Sequence, residues 1–208
     1  MRILIVDDHP VVRRGLRQIL EEGLERVTIG EASNPHECLA ALGARGWDVV
    51  LLDLSMPGRS GVELIAQIKE QGLPVAVLVL SIHAEGQFAV RALRAGAAGY
   101  LNKEAAPERL VEAVQRVAAG GRYLSDTVAD LLAGAVQQTG NAPLHEQLSN
   151  REFDVFRKLS AGHLVGQIAR ELSLSEKTVS TYRARVLDKM SMKTNVDLAR
   201  YAVANGLV

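Results

Sequence analysis

Residues 47–54 read WDVVLLDL: four consecutive apolar positions, 49 to 52, closed by an acid at Asp53. Apolar side chains on successive residues, without alternation, mark a strand buried on both faces, as in a parallel sheet covered by helices on either side. An acid ending such a strand stands at the carboxyl edge of the sheet, where open parallel sheets hold their ligands.

The same pattern recurs on both sides of this run. Upstream lie ILIVDD (3–8) and RVTIGEA (26–32); downstream lie PVAVLVLS (74–81) and GAAGYLNK (96–103). Each strand is followed by a stretch of helical periodicity: 11–20, a segment opened by Asn34, Pro35 and Glu37, 62–70, about 85–94, and a segment from Pro107 to about Ala119 that stops at Gly120-Gly121. Asn34 suits an N-cap, Pro35 the first turn, and Glu37 the acidic third position. Five such pairs predict a doubly wound α/β domain with a parallel five-stranded sheet over residues 1–120.

The ends of the strands carry the chemistry. Asp7 and Asp8 follow the first strand, Asp53 closes the third, Ser81 closes the fourth and Lys103 follows the fifth. Doubly wound topology gathers all five at one edge. Three converging carboxylates repel one another unless a hard cation joins them, and Mg2+ is the usual partner of one or two carboxylates plus a phosphate. Lys103 and Ser81 suit the non-bridging oxygens of a phosphoryl group in transfer. Asp53 then reads as a nucleophile that forms an aspartyl phosphate, its charge neutralised by the metal and the lysine.

Taken singly, Asp8 would serve equally as a cap for the helix near Pro10, and Ser81 as a turn or core hydroxyl. Their convergence is what points to a site. Asp48 begins its strand, at the opposite edge, and is excluded. His9, His36, His83, His145 and His163 show no metal-ligand spacing and read as surface or packing residues. The absence of GxGxxG and GxxxxGK[ST] argues against a dinucleotide or nucleoside triphosphate site.

Composition is that of a globular protein, with 48% hydrophobic and 23% charged residues among 208. No apolar run approaches the roughly 18 residues needed to cross a bilayer, and the four apolar residues near the N-terminus are too few for a signal peptide, so a cytoplasmic protein without membrane contact is expected. The lone cysteine, Cys38, falls in an apolar helical pattern and reads as buried and inert. Zero net charge conceals an asymmetry: residues 1–144 hold 14 basic against 17 acidic side chains, and 145–208 hold 10 against 7. Only the second part leans toward polyanions.

That part is organised differently. After Gly120-Gly121, a short amphipathic helix and a Gly/Asn/Pro connector make a linker over 121–145, and residues 146–208 contain helices without strands. Ser149 with Glu152 forms a capping box. GQIARELS and SEKTVSTYRARVLDKM are joined by a very short turn around Ser173 to Ser175, which predicts a helix-turn-helix. Five basic residues between 176 and 193 concentrate the surplus charge on its second helix. Val179, Val186, Leu187 and Met190 give one face to a core. Lys177, Thr178, Ser180, Thr181, Arg183, Ala184, Arg185 and Lys189 become candidates for contact with double-stranded DNA, the cations holding phosphates and the hydroxyls and methyl group meeting base edges. A solvated face of an interaction helix is the competing reading.

Asp7, Asp8, Asp53 with Met-Pro-Gly three residues on, Ser81, and Lys103 within GYLNK together resemble the receiver domain of two-component response regulators. LS-x-RE at 148–152, QIA-x-EL-x-LS-x-KTV at 167–179 and the Lys-Met pair at 189–190 resemble the LuxR-type helix-turn-helix. The whole chain is similar to the NarL/FixJ class, and Thr181-Tyr182-Arg183 is similar to the GacA/UvrY branch. The resemblance implies phosphorylation of Asp53 by a partner histidine kinase. It implies Mg2+ held by Asp8, Asp53 and the main-chain carbonyl of Ser55, with help from Asp7. Lys103 and Ser81 would contact the phosphoryl group, and a rotation of Tyr100 would accompany movement of Ser81. Ser180, Thr181 and Ala184 would face bases, and the last helix, Asn195 to Asn205, would form a homodimer on DNA.

A rival of enzymatic class is a phosphatase of the haloacid dehalogenase type, which also uses Asp, Lys, Ser/Thr and Mg2+. Its nucleophile belongs to a DxD motif on the first strand, whereas here the first strand ends in adjacent acids and Asp53 is on the third. The expected protein is therefore a transcription regulator whose receiver catalyses only its own phosphorylation and slow dephosphorylation.

Overall fold

In a computed structural model the chain forms two compact units, Met1–Leu132 and Ala133–Val208. The structure describes residues 1–54, 56, 60–81, 87–103, 105, 107–137 and 143–208, without the side chains of 87, 131 and 133–137.

The first unit is built on five strands: β1 (Arg2–Val6), β2 (Thr28–Ala32), β3 (Val49–Asp53), β4 (Ala76–Ser81) and β5 (Gly99–Asn102). All pair in parallel, in the order β2-β1-β3-β4-β5. Strand order reverses between β1 and β3, which makes that junction the switch point where such sheets bind ligands.

The helices are α1 (Pro10–Gly23), α2 (Pro35–Ala44), α3 (Gly61–Glu70), α4 (Gln87–Arg94), α5 (Pro107–Ala118) and α6 (Asp126–Gln137). Residues 85 and 86, where the fourth helix was expected to open, lie outside the described residues. Asn34 caps α2 as expected, its side chain accepting from the Glu37 N–H at 2.9 Å. Asp8 does not cap α1, which has no side-chain cap.

Alternate strand residues enter two separate cores. Leu4, Val6, Val50, Leu52, Val77, Val79 and Tyr100 pack with α2, α3 and α4, whereas Ile3, Ile5, Val49, Leu51, Leu78, Leu80 and Leu101 pack with α1 and α5. Burial on both faces explains why these strands show no polar alternation. Cys38 lies wholly in the first core, and burial pushes its thiol up to about 12.

The segment after α5, expected to be linker, begins by joining the sheet. The Tyr100 N–H donates to Tyr123 O at 3.1 Å and the Tyr123 N–H to Ala98 O at 3.1 Å, so Tyr123 forms a parallel bridge with Gly99. Val128 on α6 is fully buried in the same core as Tyr100, with Leu124 and Leu132 packed against it. Val128 and Leu132, four residues apart on α6, share the helix face that docks there, and Leu124 enters the same core from the segment before the helix.

The second unit holds a 3-10 turn (Leu144–Gln147) and helices α7 (Asn150–Ser160), α8 (Val165–Glu171), α9 (Glu176–Lys189) and α10 (Asn195–Ala204). The expected capping box is present: Ser149 accepts from Glu152 N–H, and Glu152 accepts from Ser149 N–H at 2.8 Å. Ser173 takes a left-handed φ of 53° and the Leu174 N–H donates back to Ala169 O at 2.8 Å, closing α8 so that α9 starts two residues later. This is the tight turn of a helix-turn-helix.

Candidate functional site

The pocket of the first unit assembles at the carboxyl edge of the sheet. β1 runs directly into Asp7 and Asp8, β3 ends on Asp53, β4 ends on Ser81, and Lys103 follows β5. Asp7, Asp53 and Ser81 are buried. Lys103 Nζ stands 2.6 Å from Asp7 Oδ2 and 2.9 Å from Asp53 Oδ2, bridging two carboxylates that are 46 positions apart in the chain. The Lys103 N–H also donates to Ser81 O at 2.9 Å, which fixes the end of β5 against β4. Burial works against the ammonium, but the hydrogen bonds it donates to Asp7 and Asp53, and their charges, outweigh it and hold the Lys103 pKa above its ordinary value. The pocket therefore favours the charged form of Lys103 beside the Asp7 and Asp53 carboxylates.

One oxygen each from Asp7, Asp8 and Asp53, with a His9 nitrogen, lie within 4.8 Å of one another. A hard-oxygen donor set of this kind suits Mg2+. His9, read from sequence as a packing or surface residue, belongs to this cluster: its main-chain N–H donates to Asp7 Oδ1 at 2.8 Å and its Nδ1 lies 3.2 Å from the same atom. Its position right after the acid pair, in the loop before Pro10, was the available signal. Arg13, one turn into α1, donates from Nη1 to Asp7 O at 2.6 Å and braces the loop. Nothing in the sequence pattern singles out that contact.

Structure thus brings Asp7, Asp8, Asp53 and Lys103 into direct proximity. Ser81 shares their edge, paired in register with Asn102. Tyr100 is fully buried, three residues before Lys103 and opposite Val79. Ser55 lies outside the described residues. Asp48 is at the far edge, accepting from the Arg2 N–H at 2.7 Å.

On the second unit, Ser175 caps α9 by accepting from Thr178 N–H at 3.1 Å. Lys177, Ser180, Thr181, Ala184 and Arg185 are exposed along one side, while Val179, Val186 and Met190 are buried and Leu187 half-buried. Four of the expected contact residues have partners within the unit, and one of these bonds stays within the helix: the Thr181 hydroxyl donates to Lys177 O at 3.0 Å. Thr178 Oγ1 lies 2.8 Å from Ser175 Oγ, Arg183 Nε donates to Asn195 Oδ1 at 2.7 Å, and Lys189 Nζ stands 2.6 Å from Glu152 Oε2. Such pairings tie α9 to its own cap, to α10 and to the start of α7. His145 is buried, with Nδ1 2.9 Å from the Tyr201 hydroxyl and its ring against Phe153.

A carboxylate pocket bridged by lysine at the switch point of a doubly wound sheet, in one chain with a helix-turn-helix, defines a two-module protein with a phosphoryl-accepting receiver and a DNA-binding reader. The chain belongs to the two-component response regulators with a LuxR-type DNA-binding domain: the family described as response regulator receiver domain matches residues 3–115, and that described as bacterial regulatory proteins, luxR family, matches 146–202.

Relatives align along its full length. Response regulator UvrY of Escherichia coli K12 is 35% identical over 208 residues, covering 100% of this chain and 95% of the relative. Response regulator GacA of Pseudomonas aeruginosa is 37% identical over 212 residues, covering 100% and 98%. Among solved structures, RcsB from Salmonella enterica serovar Typhimurium, bound to the promoter rprA in the presence of the phosphomimetic BeF3-, is similar with a TM-score of 0.66 and 28% identity over 97% of each chain. The chain is accordingly a regulator of transcription. No helix among the described residues is long and apolar enough to cross a membrane.

Proposed function

We propose that Asp53 is the phospho-acceptor, that a partner histidine kinase is its donor, and that phosphorylation controls dimerisation and sequence-specific binding to double-stranded DNA. The observation that carries this reading is the position of Lys103 Nζ, within 3 Å of both Asp7 and Asp53 carboxylates. An Asp53 carboxylate oxygen attacks phosphorus, a new O–P bond forms, and the donor leaves with the electron pair of its broken bond. Lys103 compensates the charge that accumulates on the phosphoryl oxygens, with Ser81 as a hydroxyl partner. Mg2+ held by Asp7, Asp8, Asp53 and the Ser55 carbonyl would supply further neutralisation. Turnover is confined to the protein's own phosphorylation and slow dephosphorylation, in the cytoplasm.

Movement of Ser81 and Tyr100 then alters the surface that controls the second module. There, Lys177 and Arg185 hold phosphates and Ser180, Thr181 and Ala184 meet base edges. Thr178, Arg183 and Lys189 orient the helix, with the partly exposed Lys189 side chain also within reach of a phosphate. Helix α10, Asn195 to Asn205 with its cap, provides the dimer contact, a role its exposed Val196 and Val203 support.

Incubation with acetyl phosphate and Mg2+, followed by intact mass, tests the acceptor. Wild type gains one phosphoryl group only with Mg2+ present, and Asp53→Ala gains none. Undiminished modification of Asp53→Ala would refute the assignment.

A further inference from the structure

We propose that His9 is a donor to the dication of the carboxylate pocket, and that its imidazole gives the pocket a preference for imidazole-favouring dications such as Co2+ over Mg2+. This rests on reading the pocket as a dication site.

The geometry around Asp8 points this way. His9 Nδ1 stands 2.9 Å from Asp8 Oδ1 and 3.2 Å from Asp7 Oδ1. Two donors bound side by side on an octahedral ion, each at about 2.1 Å, are separated by about 3 Å. The Asp8 Oδ1 atom is shielded from solvent and makes no hydrogen bond, so its close approach to the imidazole is not that of an aligned N–H···O pair. A shared cation would satisfy Asp8 Oδ1 and take the place of the 3.2 Å hydrogen bond between Nδ1 and Asp7 Oδ1.

The remaining carboxylates leave room for such a ligand. Asp7 has each oxygen engaged by the protein, Oδ2 by Lys103 at 2.6 Å and Oδ1 by the His9 N–H at 2.8 Å. Asp8 and Asp53 are then the principal anionic ligands, and an octahedral ion held by two carboxylates keeps open positions. His9 is 65% exposed, so its ring can adjust to the ion without disturbing the core. Oxygen donors suit Mg2+, whereas imidazole favours the later dications, so a nitrogen at this point separates the two classes of ion.

Calorimetric titration of the full chain with Mg2+ and, separately, Co2+ tests the proposal in wild type, His9→Ala and His9→Asn, above the ordinary histidine pKa of about 6.5. His9→Ala should weaken Co2+ binding by about tenfold or more while changing Mg2+ binding by less than about threefold. The visible absorption of the Co2+ form should shift with loss of the nitrogen ligand, and His9→Asn should retain Mg2+ affinity without restoring Co2+ affinity. Equal losses for both ions, or no loss for Co2+, would overturn the role of His9 and leave the pocket reading intact. Failure of wild type to bind either ion would overturn both. Thermal midpoints matching wild type verify that the variants are folded.

Discussion

Lys189 Nζ lies 2.6 Å from Glu152 Oε2, so the last turn of α9 is fastened to the capping box that starts α7. The Glu152 side chain is 4% exposed, and burial alone would raise its pKa. The hydrogen bonds from Lys189 and from Ser149 reverse that and hold it below the ordinary value.

Removing the lysine should therefore loosen the second unit before it affects DNA contact. Lys189→Ala is expected to cost about 1–3 kcal/mol, toward the lower end because the lysine is partly exposed. A depressed folded pKa contributes stability above the ordinary Glu value of about 4.3 and loses it as pH falls through the folded value. The difference between wild type and variant in urea unfolding should thus be full at neutral pH and shrink under acid. A difference independent of pH would contradict the pairing.

Lys103 also offsets repulsion between Asp7 and Asp53. Lys103→Met should lower stability by about 2–4 kcal/mol at neutral pH in the absence of metal, with Mg2+ restoring part of the loss. Thermal unfolding with and without Mg2+ gives the comparison, and a variant as stable as wild type in both conditions would refute the bridge.

Gly99 faces Tyr123 so closely that an added Cβ would lie 2.7 Å from Tyr123 O and 2.9 Å from Leu78 Cδ1. Gly99→Ala should displace the segment after α5 at a cost of about 1–3 kcal/mol. Hydrogen exchange at the Tyr100 and Tyr123 amides is expected to accelerate. Unchanged protection at both would mean the segment is not held there.

With its thiol pushed up to about 12 and its side chain wholly buried, Cys38 should resist alkylation in the folded protein. Labelling should appear only under unfolding conditions, which a mass measurement along a urea series would show. Rapid native labelling would contradict the packing of α2.

Most of the fold and of the pocket is legible in the sequence. Apolar runs without alternation, clearest in β1, β3 and β4, mark a parallel sheet, and a polar residue at the end of each relevant run locates the pocket, because doubly wound topology converts strand ends into one edge. Helix starts at Asn34 and Ser149 followed from local capping chemistry, which is written within a few residues. Contacts across long sequence separations were less visible. The docking of Tyr123 on β5 depends on a backbone pairing that any residue could make, and Leu124, Val128 and Leu132 read as linker because they follow a Gly-Gly stop. Lys189 is exposed as its periodicity predicts, but neither it nor Arg183 is without a partner in the unit, because Glu152 and Asn195 reach them from other helices, which local periodicity does not show.

The most direct measurement of the central claim is DNA affinity before and after treatment with acetyl phosphate and Mg2+, for wild type and Asp53→Ala at one fixed salt concentration. Phosphorylated wild type should bind its operator more tightly than the unmodified protein, with Asp53→Ala unresponsive and as weak as unmodified wild type. An equal gain in Asp53→Ala, or full operator affinity without any phosphoryl group, would contradict control of the reader by Asp53.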